Sequence, residues 1–203
     1  MTTQTKLKIA FACYLSAILI FVPTQAVANG GDTISFGSFL AGLFHPVMQL
    51  NHFLAMVSAG IISAQIGGRM VWTIPVTFVG LMAIGWGLNL AGIGLGYIDL
   101  AVALSIVVLG LIIAIDRSFT VAIMIIVVGL FALFHGYAHG VEMPSLANPI
   151  QYASGFLIGA AIIHFIGILV GGIPQNYEKR SSIFSIMGAT IAVFGALFVS
   201  GIL

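Results

Sequence analysis

Six times between Phe36 and Leu203 the chain runs through an apolar stretch long enough to cross a hydrocarbon core of about 30 Å, at 1.5 Å per helical residue. The stretches are residues 36–66, 71–90, 98–115, 118–140, 149–173 and 182–203. Only 5% of residues are charged and the mean hydropathy is +1.21, whereas an average soluble domain is about 25% charged. The expected fold is therefore an all-α integral membrane protein with six transmembrane helices. The links are short and polar: Gly67-Gly68-Arg69, residues 92–96, Asp116-Arg117, residues 141–148 and residues 175–181. Such links make successive spans antiparallel and leave no room for a soluble domain, so residues 29–203 read as one transmembrane unit.

Residues 1–28 carry Lys6 and Lys8, an apolar run from Ile9 to Val22, and Ala26-Val27-Ala28 before Asn29. This is the pattern of a secretory signal peptide, with an uncleaved anchor as the alternative. Arg69, Arg117, Lys179 and Arg180 all fall on the first, third and fifth links, and the second and fourth carry no lysine or arginine. Positive charge concentrates on the cytoplasmic side, which predicts that both ends of the mature chain lie outside. Cys13 is the single cysteine, excluding a disulfide framework or a cysteine-based metal site. The few charges are scattered, which excludes a nucleic-acid surface. Gly136 and Gly140, Gly155 and Gly159, and Gly167 and Gly171 are each four apart, a spacing that lets helices approach closely in lipid.

Against this background the polar groups stand out. The fourth span ends in Phe134-His135-Gly136-Tyr137-Ala138-His139-Gly140-Val141-Glu142, and on a helix His135, His139 and Glu142 share one face. Capping and solvation would explain one such residue. Three at this spacing favour function, because ionisable groups at membrane depth are costly. The first span holds His45-Pro46-Val47-Met48-Gln49-Leu50-Asn51-His52. Pro46 lacks an amide hydrogen and is expected to kink that helix, while His45, Gln49 and His52 form a polar stripe with Asn51 beside it. At the helical rise His45 lies about 14 Å and His52 about 24 Å below the outer end, with His135 within about 8 Å of it and His164, in the fifth span, at about 22 Å. His45 and His135 are thus expected to meet in the outer half. The five histidines would trace an ion path inward.

Imidazoles beside a carboxylate suit a divalent transition metal such as nickel, cobalt, zinc or copper. The candidate metal residues are His45, Asn51, His52, His135, His139, Glu142 and His164. For His164 a hydrogen bond to a neighbouring carbonyl is an equally good account. The methionines near these stretches read as core filling.

With both histidine stretches in view, the chain resembles the HupE/UreJ family of nickel and cobalt permeases. His45-Pro46 and Asn51-His52-Phe53-Leu54-Ala55-Met56 align with the first family pattern, and Phe134 to Glu142 match the second, Phe-His-Gly-x-Ala-His-Gly-x-Glu, in full. Gly155-Phe156 and His164 resemble a third, weaker one. The likeness continues through Gly67-Gly68-Arg69 and Trp72. Asn51 stands where the family usually has aspartate and Gln49 where it usually has glycine, so one formal negative charge is missing near the expected site. The resemblance implies a permease of the bacterial inner membrane, with nickel or cobalt as the substrate ion and no enzymatic reaction.

The expected partners are the metal ion and the lipid bilayer; a homo-oligomer is allowed. Three other readings use the same residues: a b-type cytochrome with histidine-held haem, a histidine-box metalloenzyme, and a metal-binding accessory or sensor protein of the same fold that does not transport.

Overall fold

The computed structural model describes residues 37–116, 119–176 and 178–203; the expected signal peptide and Arg117 lie outside them. The described residues form seven α-helices: α1 Gly37–Met48, α2 Leu50–Ile66, α3 Met70–Leu90, α4 Ile98–Ile115, α5 Val121–Val141, α6 Pro149–Gly172 and α7 Arg180–Val199. The last five are each long and apolar enough to cross a membrane, and α1 with α2 makes a sixth, broken span. Val76 and Ile126, 69% and 68% exposed, are typical of the outward faces. Exposed aliphatic side chains on each of the last five helices suit a lipid surround. The chain is a multi-pass membrane protein.

The first span departs from expectation. Instead of one helix kinked at Pro46, it is two helices that meet at 76° across Gln49. Pro46 removes one ladder bond of α1, but the change of direction falls at Gln49, whose φ of −91° and ψ of 106° are extended. Gln49 N–H still donates to the His45 carbonyl at 3.1 Å, and its own carbonyl accepts from Phe53 N–H at 2.9 Å. The reason for a full break lies just beyond: the Asn51 side chain accepts the His52 N–H at 2.8 Å. That bond satisfies one of the amides a new helix start leaves unpaired, so α2 begins afresh instead of continuing α1 under strain.

Glycines set the packing. The two halves of the broken span both lie along α6, α3 lies along α5, and α4 along α7. A Cβ on Gly42 would meet the Tyr152 carbonyl, one on Gly60 the His164 carbonyl, and one on Gly136 the Met82 carbonyl. Backbone therefore rests on backbone, which is how helices cohere in lipid. Gly155 faces Phe39 and Gly171 faces Ile61, so the broken span and α6 run the same way; Gly85 facing Leu133 and Gly140 facing Asn89 make α3 and α5 parallel. Gly188 against Ala114 and Gly195 against Val107 make α4 and α7 antiparallel. These directions are those of a chain that crosses alternately. The start of α6 is fixed by Asn148, whose side chain accepts from Gln151 N–H at 3.1 Å, with Pro149 in the first helical turn.

The links after α2 and α4 and the one before α7 gather at one end. There Gln65 donates to Asp116 at 2.6 Å, Arg180 pairs with the same carboxylate oxygen at 3.2 Å, and Gln175 donates to the Ala64 carbonyl at 3.0 Å.

Candidate metal centre

At the opposite end of α2, its first turn meets the last turns of α1 and α5. The break at Gln49 makes this meeting. On a straight helix His52 would sit about 10 Å beyond His45. Turned through 76°, α2 instead carries His52 back beside Glu142, with its Nε2 3.5 Å from the Glu142 carboxylate. The ligand atoms of His45, His52, His139 and Glu142 all lie within 4.8 Å of one another. Tetrahedral donors about 2.0–2.2 Å from a first-row dication such as zinc lie about 3.3–3.6 Å from one another, so these four would draw together by up to about an ångström to close around one ion.

The rings crowd together: His52 and His139 have centroids 4.5 Å apart, His45 and His139 5.0 Å, and His45 and His52 5.9 Å, each pair edge to face. Phe156 stacks on His139 at 4.6 Å and Tyr152 stands 5.8 Å from His45. Both come from α6, one turn apart, and form an apolar wall. His45 Nε2 donates to Glu142 Oε2 at 2.7 Å, since a carboxylate only accepts. His52 Nε2 and both nitrogens of His139 are buried with no hydrogen-bond partner among the described residues. Each such group costs about 1–3 kcal/mol, an expense that packing alone does not explain. Burial pushes the Glu142 carboxyl up, but the neighbouring His52 and the hydrogen bond from His45 outweigh it and hold the group below its ordinary value.

His135 lies next to this group, its ring 5.0 Å from His52. Its Nε2 is 2.9 Å from Ser105 Oγ, whose own hydrogen goes to the Val102 carbonyl at 2.6 Å. His135 is thus the donor, and its Nδ1 keeps a lone pair. His164 gives its Nδ1 hydrogen to the Ala160 carbonyl at 2.7 Å, and its Nε2 is unpartnered. The Phe78 ring touches both, at 5.6 Å from His135 and 4.7 Å from His164. So the expected partnership of His45 with His135 is replaced by His45 with His139, and His135 and His164 stand beyond the four. Asn51 contacts His52 alone among the candidate residues. The roles of Ser105, Phe78 and Tyr152 are not readable from the sequence, because single serines and aromatics on apolar helices look the same wherever they point; Phe156 belongs to the third, weaker pattern, which does not say that it stacks on His139.

Protein HupE of Rhizobium leguminosarum bv. viciae is 38% identical to this chain over 188 residues, covering 92% of the chain and 97% of that protein. No solved structure matches the chain. Residues 17–198 match the family described as HupE / UreJ protein, so that both histidine stretches fall inside the match, and the chain belongs to the HupE/UreJ family.

Proposed function

We propose that the chain is a permease for a divalent transition metal, nickel or cobalt before zinc or copper, importing it from the exterior side of the bacterial inner membrane. His45, His52, His139 and Glu142 take the ion, and His135 and His164 are the next nitrogens on its way inward. The observation that carries this reading is the group of three imidazoles and one carboxylate within 4.8 Å, with His139 bonded through neither nitrogen. Neutral imidazole nitrogen and carboxylate oxygen are the donors such ions prefer. The broken span supports it as well: discontinuous helices bring unpaired backbone ends to the ion sites of many secondary transporters. Orientation rests on the arginines and lysine of the odd links, which would put the Asp116 end in the cytoplasm and Glu142 at the outer mouth.

The contact between the His52 and His139 rings argues against haem, because no macrocycle fits between imidazoles whose centroids are 4.5 Å apart. The test is uptake of radioactive cobalt or nickel by cells and by proteoliposomes carrying the full chain. Replacement of His45, His52, His139 or Glu142 by alanine should abolish it; uptake that persists in all four variants rules the reading out.

A further inference from the structure

We infer that Asn51 acts on the metal centre through His52, fixing which nitrogen His52 presents, and does not itself coordinate. The inference rests on the metal reading above and deepens it. Asn51 Oδ1 accepts the backbone N–H of His52 at 2.8 Å and lies 3.0 Å from His52 Nδ1. A backbone amide only donates, so the atom facing it is the side-chain oxygen and not the amide nitrogen. An oxygen only accepts, so the nitrogen 3.0 Å away carries a hydrogen. A neutral imidazole has one N–H; His52 therefore holds it on Nδ1 and keeps its lone pair on Nε2. That nitrogen is the one 3.5 Å from the Glu142 carboxylate, buried and without a hydrogen bond.

Both lone pairs of the Asn51 oxygen are thereby used, one by the start of α2 and one by the ring. None remains for a cation, and an amide nitrogen offers none. Asn51 is a positioning residue. Its chemistry also sets how firmly the ion is held. A carboxylate at this place would pull harder on the Nδ1 hydrogen and enrich Nε2 as a donor, because hydrogen bonds to ionised acceptors are about twice as strong. The neutral amide gives the same geometry with a weaker grip, so residue 51 tunes affinity and residence of the cation without changing the number of ligands.

The experiment has two arms on the full chain in detergent. Nitrogen-15 spectra of the imidazoles without metal should show His52 protonated on Nδ1 in the wild type and in Asn51→Asp, and a mixture of tautomers in Asn51→Leu. With cobalt(II), Asn51→Leu should bind about 10–100-fold more weakly and Asn51→Asp more tightly than the wild type. The visible and X-ray absorption spectra of wild type and Asn51→Asp should show the same count of nitrogen and oxygen donors. An added oxygen donor in Asn51→Asp, or a wild-type His52 protonated on Nε2, overturns the inference. Should Asn51→Leu not fold, the Asn51→Asp donor count and the wild-type tautomer still decide. A wild type that binds no cobalt would refute the metal reading, and the tautomer arm would still stand or fall by itself.

Discussion

The two ends of α2 are both polar, and they differ in what their polar atoms do. At the C-terminal end Gln65, Asp116 and Arg180 bind one another, so that three helices are tied together by bonds of 2.6 and 3.2 Å to one carboxylate oxygen. At the N-terminal end His52 and His139 leave three buried nitrogens without a hydrogen bond, against the single Arg180 Nε at the other end. Pairing is what a structural polar cluster needs to avoid the desolvation penalty. An unpaired cluster keeps that penalty, and metal ligation would relieve it. The contrast separates a fastening from a binding site using the same helix as its own control.

The strongest test of this contrast is to remove a ligand. Glu142→Ala or His52→Ala should reduce cobalt affinity by more than the roughly 10–100-fold that loss of an outer hydrogen-bond partner costs, read by equilibrium binding. Acid is the next lever. Only deprotonated imidazole ligates, so affinity should fall on acidification, by up to about tenfold per unit for each imidazole that must lose a proton. Glu142, held below its ordinary value, stays anionic further into acid than a free carboxyl, and an affinity that does not fall at all on acidification would count against the imidazoles. Gly136→Leu, which drives a side chain into the Met82 backbone, should destabilise the bundle by about 1–3 kcal/mol or more, seen as a lower thermal midpoint in detergent. The smallest effect belongs to the far end: Asp116→Asn keeps an oxygen for Gln65 and Arg180 and removes only the charge, so it should cost about 1 kcal/mol. Cobalt affinity should not change in that variant; if it does, the two ends are coupled and the contrast fails.

Much of this was legible in the chain. Long uncharged runs fixed the spans, and alternate crossing made α1, α2 and α6 codirectional. The spacing of His135, His139 and Glu142 already put them on one face. A constant rise across residues 36–66 places His52 too deep, because the chain turns through 76° at Gln49 and brings His52 beside Glu142. Pro46 warned of a disturbance, yet its size depended on Asn51 capping the next helix, a side-chain choice that spacing does not reveal. Ser105 and Phe78 gave no signal, because what distinguishes them is the neighbouring helix they face.

Gln49 is the one non-helical residue between two rods, each seated by glycines on the same long helix. His45 belongs to the first rod and His52 to the second. Because both rods rest backbone to backbone on that helix, the bend at Gln49 is clamped from outside, and the spacing of the two imidazoles is set by a scaffold that neither of them belongs to.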